Sequence, residues 1–338
     1  MARSAESLKL DKKDAIKTYR YLRIGMIGAV VALGVSIFYE WVQVDFSCYQ
    51  PSISAYYYTP VRAILVGSMI VVGFALIVYK GRTWQEDVCL NFAGLFAPVV
   101  ALAPTTDAGG CWSRRPGPDA VHESGELAPW LVANINNNIR TLLWTGLAGL
   151  ILSFILVVVV NAKNAKEDKN AEKLAKGLDA ALKRDERGTW LSLGLTGLLL
   201  GTGWLLVWFW DDFYTLAHGY AAILFFMFLW GAIVSNVKRH WQKEKAPKGT
   251  FWANLREQDG IFKWYALVAL AMAVGFIVLL PAFRLVGDHT VFWLEAWEIL
   301  WFLVYWILQT AENWDEEVLD DGTPAVADGS KPLPHATA

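Results

Sequence analysis

The chain is poor in the residues from which soluble active sites are usually built. It carries three cysteines and five histidines in 338 residues. No CxxC pair and no HxxxH spacing occurs, so the common structural-zinc and helix-borne zinc motifs are excluded. Charged residues make up 18%, against about a quarter in an ordinary soluble domain. The formal net charge of −2 provides no overall field for nucleic acid. Phosphate-binding loops, dinucleotide fingerprints and Ser-His-Asp signatures are missing, which disfavours ATP-driven and soluble-enzyme readings. A cleavable signal peptide is not expected. Residues 1–23 are basic and amphipathic, and the apolar run that follows is too long for a signal core.

Apolar length is what the chain has instead. Hydrophobic residues reach 55% and mean hydropathy is +0.33. Eight stretches approach the roughly 20 apolar residues that cross a bilayer. They are expected at 24–44, 61–79, 88–103, 139–160, 190–210, 217–234, 264–283 and 292–310. Eighteen tryptophans suit membrane–water interfaces. The predicted fold class is therefore an all-α polytopic bundle of about eight transmembrane helices. Its expected parts are a basic segment 1–23, a first four-helix half 24–160, a charged linker 161–188, a second half 189–314 and a disordered acidic tail 315–338.

Positive charge orients this bundle. Segments 1–23, 80–87, 161–188 and 235–263 hold 7, 2, 8 and 7 Lys or Arg, whereas the alternate segments hold Arg62, Arg114, Arg115, Arg140 and Arg284. The positive-inside rule places the rich set, and both termini, in the cytoplasm of a multi-pass plasma-membrane protein. Residues 161–188 include Leu174, Leu178, Ala181 and Leu182 at helical spacing, so a short surface helix is expected there. Cys48 and Cys111 then share the outer side, where a disulfide is plausible, although two unpaired thiols fit equally well.

Ionisable groups at membrane depth are the candidate site. Glu295, Glu298, Phe302, Tyr305 and Gln309 share one face of the last span at about 100° per residue, with Trp293, Trp297 and Trp301 opposite. Asp87, Asn91, Gly94, Pro98 and Thr105 line one face of the third span, and small and polar residues on one stripe suggest close helix packing around hydrogen bonds. Glu40, Asp45, Asp211, Asp212, His218, Asp288 and His289 gather at outer ends, with Arg62, Arg140 and Arg284 at the same depth as possible partners. Together with Glu295, Glu298, Tyr305 and Gln309 they are expected to line an outward-facing polar cavity. No metal or other cofactor is expected; a zinc site from His218, His289 and Asp212 is the weaker geometric option. Small residues Gly25 and Gly28, and Gly194, Gly197 and Gly201, suggest close helix contacts. Val44-Asp45-Phe46 and Asp211-Asp212-Phe213-Tyr214 each follow the first span of a half, a weak echo of a four-plus-four repeat.

The first outer loop reads Ser52-Ile53-Ser54-Ala55-Tyr56-Tyr57-Tyr58-Thr59-Pro60. Its three tyrosines suit a headgroup layer or a headgroup-binding surface. From Ser52 to about Leu65 it resembles the loop before the second span in the Frag1/DRAM/Sfk1 and DUF998-type polytopic families. That resemblance implies an integral membrane protein connected with lipid or cell-envelope handling, and assigns no catalytic residue. Seven-span ceramidase-like hydrolases, which use Ser, Asp and three His around zinc, are matched only in that His122, His218 and His289 fall outside. Three functions stay open. The first is binding or moving a lipid or small solute, with membrane lipid as partner and no nucleic acid. The others are a zinc-dependent lipid hydrolase and an accessory subunit of an envelope complex.

Overall fold

The computed structural model describes residues 5–106, 128–167, 175–210, 213–243, 261–279 and 289–314. Among these the chain is helical and contains no strand. The α-helices are α1 (Ala5–Gln43), α2 (Arg62–Val78), α3 (Trp84–Leu102), α4 (Pro129–Glu167), α5 (Ala175–Phe209), α6 (Phe213–Lys243), α7 (Ile261–Val274) and α8 (Thr290–Glu312). A 3-10 helix, Ser54–Tyr58, precedes α2, and α7 continues as a π-helical turn, Gly275–Leu279. Asp211, Asp212, Asp288, Arg284, Cys111, His122 and the tail 315–338 lie outside the described residues.

Five of these helices are long and apolar enough to cross a membrane, within Lys17–Gln43, Pro129–Val159, Gly188–Phe209, Phe213–Trp241 and Thr290–Glu312. Arg62–Val78 and Ile261–Ile277 are shorter apolar helices. The chain is thus an all-helical protein with the apolar helices of a membrane protein. Its surface agrees: Phe74, Leu198, Trp208, Phe209 and Ile277 are each at least 66% exposed. Water would not tolerate such a continuous apolar exterior on a monomer, whereas lipid matches it.

At the centre of the bundle stands α3, which packs most extensively on α2 and α6. Leu90, Ala93 and Ala97 of α3 are wholly buried against residues that include Leu76, Leu229 and Met272. By contrast, α4 and α5 pair with each other at the periphery and leave most of their apolar surface outward. The surface helix expected in the linker does not stand alone: the segment from residue 175 is the start of α5, which runs unbroken to Phe209.

Small residues bring helices together at some of the expected places, Gly94 on α3 and Gly197, which faces Leu150 of α4, and not at others. A Cβ added to Gly25, Gly28, Gly194 or Gly201 would meet nothing within 4 Å, so those glycines face open surface. The close approach is between Gly73 of α2 and Gly94 of α3. A Cβ at Gly94 would lie 2.6 Å from the Gly73 carbonyl oxygen, and one at Gly73 would lie 2.9 Å from the Gly94 oxygen. Pro98, inside α3, explains the second contact. Lacking an N–H, it leaves the Gly94 carbonyl without its helical donor. Gly73 lets the neighbouring backbone cover that carbonyl, as small residues do in membrane helix pairs.

Candidate functional site

The polar groups separate into two clusters at opposite ends of the bundle. The first is built around the tight turn between α2 and α3. Gly81 is required there, because a Cβ would lie 2.6 Å from the Asp87 backbone nitrogen. Thr83 caps α3, its hydroxyl accepting from the Glu86 N–H at 3.2 Å. In return Glu86 accepts from the Arg82 N–H at 2.9 Å. This is a capping box shifted by one residue. Asp87 completes the turn by accepting from the Gly81 N–H at 3.0 Å and from Lys80 Nζ at 3.3 Å.

The capping geometry aims the other Glu86 oxygen into the bundle. Oε1 accepts from Asn236 Nδ2 at 2.6 Å, Gln309 Nε2 at 2.7 Å and the Tyr305 hydroxyl at 3.3 Å. Glu86, Asn236, Tyr305 and Gln309 are all wholly buried. A second carboxylate lies one layer out. Glu312 accepts from Tyr265 at 2.6 Å and pairs with His240 at 3.2 Å and Arg239 at 3.4 Å. Arg239 also donates to Asn236 Oδ1 at 2.9 Å, which joins the layers. From α1, Arg23 donates to the Gln309 carbonyl at 2.6 Å and to the Tyr79 hydroxyl at 2.9 Å. This network ties α1, α3, α6, α7 and α8 together. Each carboxylate in it is met by several donors, the arrangement under which buried charge is tolerated.

The second cluster fastens the loop that precedes α2. Glu295 of α8 accepts from the Ile53 N–H at 2.6 Å, the Ser54 N–H at 3.3 Å and the Ser54 hydroxyl at 3.0 Å. A carboxylate thus sits on the free N–H groups at the start of the 3-10 helix, where the helix dipole favours negative charge. Further along the same connection, the Phe292 N–H donates to the Pro51 carbonyl at 2.8 Å. The three tyrosines are not a headgroup surface. Tyr56, Tyr57 and Tyr58 are 1%, 5% and 6% exposed and form a core with Leu33, Leu131 and Ile135. Their hydroxyls are engaged by Trp41, by Arg62 and by the Thr105 carbonyl respectively. Burial raises the Tyr56 phenol above its ordinary pKa, so it remains a neutral hydrogen-bonding group. Glu295→Ala should leave Ile53 and Ser54 donors unsatisfied, at roughly 1–3 kcal/mol each. The check is amide exchange, which should accelerate at Ile53 and Ser54 while α6 stays protected.

The expected single polar cavity does not assemble from the described residues. Tyr305 and Gln309 belong to the Glu86 network, far along α8 from Glu295. Asp45 is exposed on a left-handed turn with φ of 51°, followed by Phe46 at 54°. Glu40 is buried on α1. His218 is buried with Nδ1 donating to the Ala103 carbonyl at 2.7 Å, whereas His289 is exposed with Nε2 donating to the Tyr49 carbonyl at 3.1 Å. Among the described residues no three His, Cys, Asp or Glu gather to hold a metal. Arg62 stacks on Tyr57 and Arg140 donates to Asn136, so neither serves as the acid's partner that depth alone suggested. Cys48 is disulfide-bonded and Cys89 is a free thiol.

A narrow apolar cleft lies beside the second cluster, lined by Leu33, Leu65, Val100 and Phe225 with Ser54 and Glu295 at its polar edge. Sequence reasoning found Glu295 but missed Glu86, Asn236, Arg239 and Glu312. Thr83-x-x-Glu86 ahead of an apolar run was the available signal. Comparison of the chain with protein families, characterised proteins and solved structures finds no match.

Proposed function

We propose that this chain is an eight-span plasma-membrane protein, both termini cytoplasmic, that binds the apolar part of a lipid or small amphiphile beneath its 3-10 helix. One observation carries the reading. The cleft takes its walls from α1, α2, α3, α6 and α8, and its few polar groups sit on one side with Glu295. Apolar walls with a few placed polar groups are the usual make-up of a small-ligand site. The Glu86 network at the other end gives those helices a fixed frame. The resemblance of the Ser52–Pro60 stretch to lipid- and envelope-linked families points the same way. Zinc-dependent hydrolysis gains no support from His218 and His289, each of which gives a ring nitrogen to a different backbone carbonyl. An accessory subunit of an envelope complex would need no such cleft.

Native mass spectrometry of protein extracted in mild detergent tests this. Wild type should retain an amphiphile, and Ala222→Trp, which adds bulk to the cleft wall, should lose it at unchanged thermal stability. Equal retention by both proteins would sink the proposal.

A further inference from the structure

Glu298 has no role in either cluster. It lies one turn past Glu295 on the same face of α8, and it is wholly buried. Neither carboxylate oxygen has a hydrogen-bond partner. It stands against the π-helical turn of α7: the side chain of any residue larger than glycine at position 275 would run into Glu298 Oε1. On the flank, Trp297 Nε1 donates to the Ala271 carbonyl at 2.8 Å, which holds α8 to α7 just before that turn.

Charged neighbours are committed elsewhere. On α8 itself, Glu295 is satisfied by Ile53 and Ser54, and Glu312 by Tyr265, His240 and Arg239. From α1, Arg23 serves Gln309 and Tyr79, and Glu40 stands beside Trp41, which packs on Phe292 at the start of α8. On α6, His218 serves Ala103. On α7, Tyr265 serves Glu312, and Lys263 stands about three helical turns before Gly275, away from the π-turn. Among the described residues no charged side chain pairs with Glu298.

An ionised carboxylate without partners in a low-dielectric interior is so costly that such a group is found neutral instead. A neutral carboxyl carries one bound proton and one O–H donor. The π-turn supplies a complementary feature, because the shift from i→i+4 to i→i+5 bonding disturbs the carbonyl ladder of α7, and such turns concentrate at functional sites.

We propose that Glu298, walled by the Gly275–Leu279 turn, is an exchangeable proton-binding site within the membrane. The ligand is a proton, and the site goes beyond the amphiphile cleft because it uses none of the cleft's lining. Gly275 is the residue that admits the carboxyl to this position, and Glu298 holds or releases the proton as α7 and α8 part.

Labelling with a hydrophobic carbodiimide tests the site on the full-length protein in lipid vesicles. A protonated carboxyl adds across one N=C bond, its proton passing to nitrogen, and the O-acylisourea rearranges to a stable N-acylurea. The peptide containing residue 298 should gain the mass of one carbodiimide at neutral pH, with labelling falling as pH rises. Glu298→Gln should lose the label, and Glu295→Gln should keep it at residue 298. Infrared difference spectra of wild type against Glu298→Gln should show the carbonyl band of a protonated acid. Absence of both the label and that band would overturn the proposal. So would protection by sodium ions at constant pH, which would make the site a metal-cation site instead. Gly275→Ala should shift the infrared band, since the added methyl displaces the carboxyl; an unmoved band would contradict the placement of Glu298 against the turn.

Discussion

Glu86→Ala is expected to destabilise the protein by roughly 3–5 kcal/mol, the range for removing one member of a buried charged network. The substitution strips the acceptor from Asn236, Gln309, Tyr305 and the Arg82 N–H at once. Asn236, Gln309 and Tyr305 are wholly buried, and each unsatisfied group there adds its own penalty. Glu86→Gln is the informative companion. Both carboxylate oxygens accept in the native arrangement, so an amide must present its NH2 either to Asn236 and Gln309 or to the Arg82 N–H. Either orientation sets donor against donor. Gln should therefore cost about 1–3 kcal/mol despite its matching shape. Thermal unfolding in detergent, followed by tryptophan fluorescence, checks both variants. A Gln variant as stable as wild type would mean that the carboxylate is not the hub of the network.

Gly94→Val should be as damaging by a different route. Even the first added carbon would lie 2.6 Å from the Gly73 carbonyl oxygen, which belongs to backbone and cannot rotate away. Overpacking of this kind typically costs about 1–3 kcal/mol, and here relief requires α2 to move off α3. The Gly94 carbonyl, already without a helical donor because of Pro98, would then lose its cover. Loss should appear as reduced recovery of folded protein and a lower melting temperature. The same substitution at Gly201, where nothing lies within 4 Å, should be nearly neutral. Equal effects at the two positions would contradict the assignment of the α2–α3 contact.

That contrast also marks what the sequence could tell. Apolar length and periodicity locate the helices well, because a membrane helix must satisfy its backbone internally and so needs an unbroken run. The inward face of α8 is equally legible: Glu298, Phe302, Tyr305 and Gln309 are all buried, and Trp293 is 53% exposed. Partners are not legible. The Gly94 and Pro98 stripe of α3 marks a close-packing face but not its partner Gly73, and of the glycines picked by spacing on α1 and α5 only Gly197 meets a neighbour. Tyr56, Tyr57 and Tyr58 look interfacial by type, yet the fold of residues 54–58 turns all three inward. Glu295 and Gln309 lie on one stripe but serve opposite ends of the bundle, since a shared helix face says nothing of depth. Glu86 escaped notice beside Asp87, because the network around it draws on residues 150 and more positions away.

The direct test of an eight-span bundle is side-specific thiol labelling at the two ends of α2, a 17-residue helix that length alone leaves at the lower limit for crossing. Pro60 and Lys80 are both exposed and bracket it. With Cys89 replaced, a membrane-impermeant maleimide applied to intact cells should modify Pro60→Cys, and should reach Lys80→Cys only after permeabilisation. Modification of both from the same side would show that α2 does not cross, and the eight-span arrangement would be wrong.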